Sequence, residues 1–436
     1  MTAEQRLERD LPIILDEIVM GPYPDYIDDV LSTTARGRQR PGWTFPERWL
    51  PVELVNARVP ATRLPMRQLG VLALIAILLA AALAVYVGTH QPKLPAPFGP
   101  AANGLIPFES GGDVYVGDLA TGQTRLLVSG PDHDWGAGYN FDGTKIGFVR
   151  DVPLDDGVTG GDVYVMNADG SGLVRVTPQP IRQVGYVMWA PDGRLGIIEP
   201  VQQQACVGVT LCYANELYLL AADGSGRVER FPTTTGIQDL QWRPPDGRTM
   251  LFRALVDGKF GLYSMGVDGT DRRTIIEPRF GTEMDMDLAH FSYSGDGSRI
   301  FYNHADAGGC CQLWTADADG TDQHVLIPNR GDAWDGVPVA SPDGTRVAFW
   351  HHPNEGPTRG VAVVRVDGSG AVVQTGPVLS EGAHWFWAPD SSKILMYPDD
   401  GSTRSAYVLD PDGGDWTKLP WQSGPDLDWQ RVAPPS

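Results

Sequence analysis

One unit recurs seven times between residues 104 and 436, and this repeat limits the possible folds more than any other feature. Each unit runs from an aromatic strand into a Pro-Asp-Gly-like turn, through a short apolar strand and a "VYV"-like strand, to an Asp-Gly turn and a fourth strand. The first strands place Tyr139, Trp189, Trp242, Tyr293, Trp387 and Trp429 at equivalent positions, with Ala340 as the small exception. The third strands centre on Tyr115, Tyr164, Tyr218, Tyr263, Trp314, Val363 and Tyr407, 44 to 54 residues apart. Period-2 alternation marks these strands as half-buried. Four short strands per such period are the signature of a propeller blade, and 52 glycines suit its many tight turns.

The turns recur in register. The first reads FDGTK, APDGR, PPDGR, SGDGS, SPDGT and APDSS from residue 141 onward, and the second is centred on Asp169, Asp223, Asp268, Asp319, Asp367 and Asp412. Pro presets φ in such turns, and Gly and Asp tolerate their geometry. On these motifs residues 104–436 resemble the TolB-type, WD-like β-propeller repeat family. The resemblance implies an all-β, seven-bladed β-propeller of four-stranded blades. It departs from TolB itself, which has a separate folded N-terminal domain, so TolB's own partners are not carried over.

The last unit stops at its first strand, DLDWQRV, while GLIPFES at 104–110 is a second strand without a first. Pairing 104–109 with 427–432 completes the seventh blade and removes an open edge. Second strands begin on the face that carries the Pro-Asp-Gly and Asp-Gly turns, so the chain before residue 104 is expected to reach that face.

Upstream, Leu69 to Val87 gives nineteen positions without a charge, close to the length needed to cross a bilayer as a helix. The 68 residues before it are too many for a secretory n-region. Arg48, Arg58, Arg63 and Arg67 precede the run and only Lys93 closely follows it. The expectation is therefore a single-pass protein of the cytoplasmic membrane, N-terminus inside and propeller outside. The organisation reads as a cytoplasmic segment (1–68), a transmembrane helix (69–87), a Pro-rich linker (88–103) and the propeller (104–436). Within the first segment, 11–20 and 25–36 read as two short amphipathic helices that need a partner or membrane to be stable. The layout resembles bacterial transmembrane anti-sigma-like regulators, which implies a cytoplasmic partner such as a sigma factor. The His and Cys ligands of their zinc-binding variety are absent, because the first 89 residues contain neither residue.

The first 67 residues hold ten acids and nine arginines, which leaves forty-four acids against twenty-five Lys/Arg for the remainder. That excess of 19 negative charges disfavours nucleic acid. Three positions before each first-strand aromatic stand Gly136, Tyr186, Asp239, His290, Val337, His384 and Asp426, where the strand emerges at the mouth of the ring facing away from the turns. Tyr186, Asp239, His290, His384 and Asp426 are the candidate binding residues. Two positions before the aromatic, the apolar series Ala137 to Leu427 suits packing between blades.

Cys206, Cys212, Cys310 and Cys311 are expected in loops between second and third strands on the outer face, where disulfides persist. Cys206–Cys212 with Cys310–Cys311 is the simplest pairing. The DxDG runs lack the spaced ligands of a calcium loop and read as turn chemistry. No metal or cofactor is implied, and no G-x-S-x-G, H-E-x-x-H, Walker or dinucleotide motif occurs. The sequence therefore points to a non-enzymatic module that binds or senses a protein, peptide or glycan outside the membrane. Two alternatives are a propeller adjunct of hydrolase type and a structural envelope anchor.

Overall fold

A computed structural model describes residues 73–79 and most of 95–434, leaving out 185, 207–208, 231–236, 257–258, 278–287, 289, 307–308, 328–333, 354–358, 371, 378, 380–382, 399–404 and 425. Two units are distinguished, Met1–Gln91 and Pro92–Ser436. In the first, residues 73–79 are helical and present exposed Leu74, Ile75, Ile77, Leu78 and Leu79. Among the described residues no helix is long and apolar enough to cross a membrane. The expected helices at 11–20 and 25–36, and the ends of the 69–87 run, lie outside the described residues.

The second unit is an all-β propeller of seven four-stranded blades. Blades 2 to 7 are antiparallel meanders whose first strands are Asp134–Tyr139, Tyr186–Trp189, Ile237–Trp242, Phe291–Tyr293, Trp334–Ala340 and Ala383–Trp387. Blade 1 takes the sheet Ile106–Ser110, Asp113–Gly117 and Thr124–Val128 from the start of the unit, and residues from the end of the unit close it through backbone hydrogen bonds. Gly104 N–H donates to the Gln430 carbonyl and Gln430 N–H to the Leu105 carbonyl, each at 2.9 Å, and Gly424 N–H reaches the Glu109 carbonyl at 3.0 Å. Ala102–Asn103 adds a further pairing with Arg431–Val432. The expected closure is therefore present, and its seam begins two residues earlier than the sequence pattern marked.

Seven apolar clusters form among the described residues, one at each interface between neighbouring blades. Second-strand aromatics Phe148, Phe252, Phe301 and Phe349 are completely buried in them. Each such side chain contributes about 1.5–3 kcal/mol by leaving water. Of the residues two before the aromatics, Ala137, Leu240, Phe291, Pro338, Trp385 and Leu427 are buried, and Val187 is half-buried against the cluster between blades 2 and 3.

The first-strand tryptophans add a directional link. The Trp189 indole N–H donates to the Gly138 carbonyl at 3.0 Å, Trp242 to the Trp189 carbonyl at 2.9 Å and Trp387 to the Val339 carbonyl at 2.9 Å, each reaching the preceding blade. This is why the position favours Trp over a purely apolar ring.

The turn aspartates have a structural function. In the first turn of each repeat, Asp142, Asp192, Asp246, Asp296, Asp343 and Asp390 accept the N–H two residues on at 2.9–3.0 Å. Asp169, Asp223, Asp268, Asp319 and Asp367 repeat the contact in the Asp-Gly turns. These Asx turns account for the DxDG pattern.

One expectation is corrected. The second and third strands of blade 3, Leu195–Cys206 and Val209–Leu220, continue almost to their hairpin, so Cys206 and Cys212 lie in strands and not in a loop. Cys310 and Cys311 likewise belong to the strand Gly309–Asp317. The paired register extends each hairpin because backbone hydrogen bonds are better satisfied in a ladder than in a long loop. Cys212 stands opposite Gln204 and Cys206 opposite Val209 across a bulge, which sets this pair on a diagonal. The four cysteine side chains lie outside the described residues.

Candidate functional site

The first strands of blades 2, 3, 4 and 7, with residues 426–429 and Arg431, line an axial cavity of about 690 Å³. Along blade 2 it extends from Trp135 to Phe141, roughly 20 Å of strand at about 3.3 Å per residue. Its wall combines indole and phenyl groups, among them Trp135, Trp189, Trp242, Phe386 and Trp429, with Asp239, His384, Asp426, Asp428, Gln241 and Arg431. This volume and mixture are typical of a ligand pocket.

Three of the five candidate residues meet in this cavity: Asp239, His384 and Asp426. The Asp239 carboxylate accepts the N–H of Leu240 at 2.8 Å, and burial pushes its pKa up to about 6 against the weaker pull of Arg253. Asp426 accepts the Gly136 N–H at 3.2 Å. Burial raises its pKa too, Glu109 adds to the rise and His384 opposes it. His384 and Phe386 project from alternate exposed positions of Ala383–Trp387 between buried Ala383, Trp385 and Trp387.

His290 occupies the equivalent position in blade 5 but is not part of the cavity wall. Its N–H donates to Asn303 Oδ1 at 2.8 Å. Burial, with Arg253 and His384 nearby, depresses its imidazole to about 4, so it is neutral at pH 7. Tyr186 begins the first strand of blade 3 opposite Ile198, and its side chain lies outside the described residues.

The mouth is shaped by bulges. Register slips between Trp135 and Gly138, Ile237 and Asp239, and Gly336 and Val339 put an extra residue into three first strands. Gly136 and Val337, at the equivalent positions, both adopt φ above +50°. Gly does so freely, whereas a β-branched residue there is strained. Such bulges re-aim side chains at functional rims.

Sequence reasoning missed Asp428, Gln241, Arg431 and Phe98. Asp428 Oδ2 accepts the N–H of Tyr139 at 2.7 Å and Oδ1 that of Trp429 at 2.7 Å. Burial nevertheless raises its pKa to about 6. Gln241 bridges blades 4 and 5 through the Phe291 carbonyl at 2.8 Å and the Tyr293 N–H at 3.4 Å. Both residues stand immediately before a first-strand aromatic. Period 2 puts that position on the same face as the one two residues earlier, so the signal was available.

No family model matches the chain, and no curated protein matches it. Among solved structures, it is similar to TolB from Acinetobacter baumannii at 16% identity over 80% of this chain and 70% of that one, with a TM-score of 0.42. It is also similar to the β-propeller domain of the Trilobed protease from Pyrococcus furiosus, at 12% identity over 77% and 99%, TM-score 0.48. A third likeness is to oligogalacturonate lyase from Vibrio parahaemolyticus, at 16% identity over 56% and 70%, TM-score 0.42. None of these likenesses transfers an activity to this chain.

Proposed function

We propose that this chain is a single-pass membrane protein whose propeller, outside the cytoplasmic membrane, binds a ligand through the axial cavity and catalyses no reaction. The observation that carries the reading is the cavity itself, where Asp239, Asp426 and Asp428 share one aromatic-lined space with His384. Burial makes ionisation of these carboxylates costly, and an incoming positive charge relieves that cost. The ligand this favours is a protein, peptide or glycan that presents an ammonium or guanidinium group. Aromatic walls accept such cations on their ring faces.

The anchor rests on the charge-free run 69–87 and the arginines before it. Residues 1–68 are then cytoplasmic and dock a regulator such as a sigma factor, which gives occupancy outside a route to a response inside. Calorimetry of the full-length chain in detergent, titrated with spermidine and with Lys- and Arg-containing peptides, tests the binding step. Heat that vanishes in Asp239→Asn/Asp426→Asn supports it. Equal heats in wild type and variant remove it. A bait of residues 1–68 that retrieves no cytoplasmic partner removes the signalling step alone.

A further inference from the structure

The turn-bearing end of the channel is occupied by the chain's own tether. Phe98 lines the axial cavity and packs against the core between blades 3 and 4. Its ring lies 5.1 Å from that of Phe141, in the first turn of blade 2. On the blade 4 side, a Cβ built on Gly247 falls 3.3 Å from the Phe98 ring and 2.4 Å from Pro191. Phe98 is thus seated where the Pro-Asp-Gly-like turns of blades 2, 3 and 4 converge.

A second set of contacts holds the backbone on either side of Phe98. Arg431 Nη2 donates to the Ala96 carbonyl at 3.0 Å and to the Gly99 carbonyl at 2.7 Å. Ala101 N–H donates to the Pro389 carbonyl at 2.9 Å, and Asn103 Oδ1 accepts the Asp390 N–H at 3.1 Å, fixing the tether to the first turn of blade 7. Pro95, Pro97 and Pro100 lower the entropy this segment loses on being held. Arg431 is itself half-buried in the channel wall beside Asp428, and its buried Nε has no partner among the described residues. An arginine placed there is expensive, and its two carbonyl acceptors both come from the tether.

We propose that residues 96–99 form a built-in strap that closes the turn-bearing mouth, with Phe98 as the plug and Arg431 as the latch. The cavity is then blind and opens only at the mouth carrying Asp239, His384 and Asp426. A displacement of the tether removes its floor. This inference stands whatever the cavity binds.

The test uses the full-length chain carrying Phe98→Cys and Phe141→Cys, treated with dibromobimane, which fluoresces only on bridging two neighbouring thiols. Peptide mapping separates the new bridge from the native cysteines. The strap predicts efficient bridging, reduced at least fivefold when Arg431→Gln is added. No bridging, or bridging unchanged by Arg431→Gln, overturns it. A second variant, Phe98→Ala, keeps Arg431 and every blade residue. Hydrogen exchange should then accelerate at least tenfold at the amides around residues 138–141 and 188–190, with the outer strands unchanged. Unaltered exchange at those amides contradicts the plug.

Discussion

Asp428 accepts the main-chain N–H of Tyr139 at 2.7 Å, tying the segment that closes the ring to the first strand of blade 2. The same carboxyl has its pKa raised to about 6 by burial, as has Asp239. A carboxyl whose folded pKa exceeds its unfolded value binds more protons when folded, so stability falls as pH rises from about 4 to about 6. His290 opposes this, since its folded pKa near 4 makes stability rise with pH between about 4 and 6.5. At about 1.4 kcal/mol per unit, each group is worth on the order of 2–3 kcal/mol. Denaturant melts at pH 4.5 and 7.5 should show that Asp239→Asn raises stability at the higher pH and flattens the difference. His290→Gln should steepen it.

The indole links between blades predict a graded loss. Trp242→Phe keeps the ring in the cluster between blades 3 and 4 but deletes the donor to the Trp189 carbonyl. The expected cost is about 1–2 kcal/mol in a denaturant titration, with the near-ultraviolet spectrum otherwise preserved. Trp387→Phe should cost the same, because its bond to Val339 is equivalent.

Ring closure has a steric weak point at Gly143. Its φ is +70°, and an added Cβ would lie 2.0 Å from the Arg431 carbonyl oxygen. Gly143→Ala should therefore cost about 2–5 kcal/mol, from a left-handed backbone and an overpacked seam. Gly157→Ala has a similar φ but nothing within 4 Å, so it should lose only the backbone contribution. Equal thermal shifts for the two variants would show that the seam does not close through this contact.

The fold was legible because its repeat is local: six of the seven blades write the same turn chemistry, and the period-2 strands recur with it. Asp239, His384 and Asp426 were legible for the same reason, since one register places all three at the mouth. His290 was not separable from them, because whether a rim residue faces the cavity depends on how the neighbouring blades pack, and its burial against Arg253 and Asn303 is not written near it in sequence. Arg431 and Phe98 are 333 residues apart, and Phe98 sits in a proline-rich stretch that reads as a simple spacer. Only the structure brings the two together. The cysteines were misplaced because an apolar-polar pattern does not say where a hairpin ladder ends.

On the proposed reading, the axial cavity binds a cation through ionised, buried carboxylates. The most direct measurement is the affinity of full-length protein for an Arg-containing peptide across pH 5 to 8. Burial raises the pKa of Asp239 and of Asp428 to about 6, so binding that draws on their ionised forms should follow pH through that range. Affinity should rise at least tenfold through that range and fall in Asp239→Asn/Asp426→Asn. Affinity independent of pH, or unchanged in that variant, would contradict it.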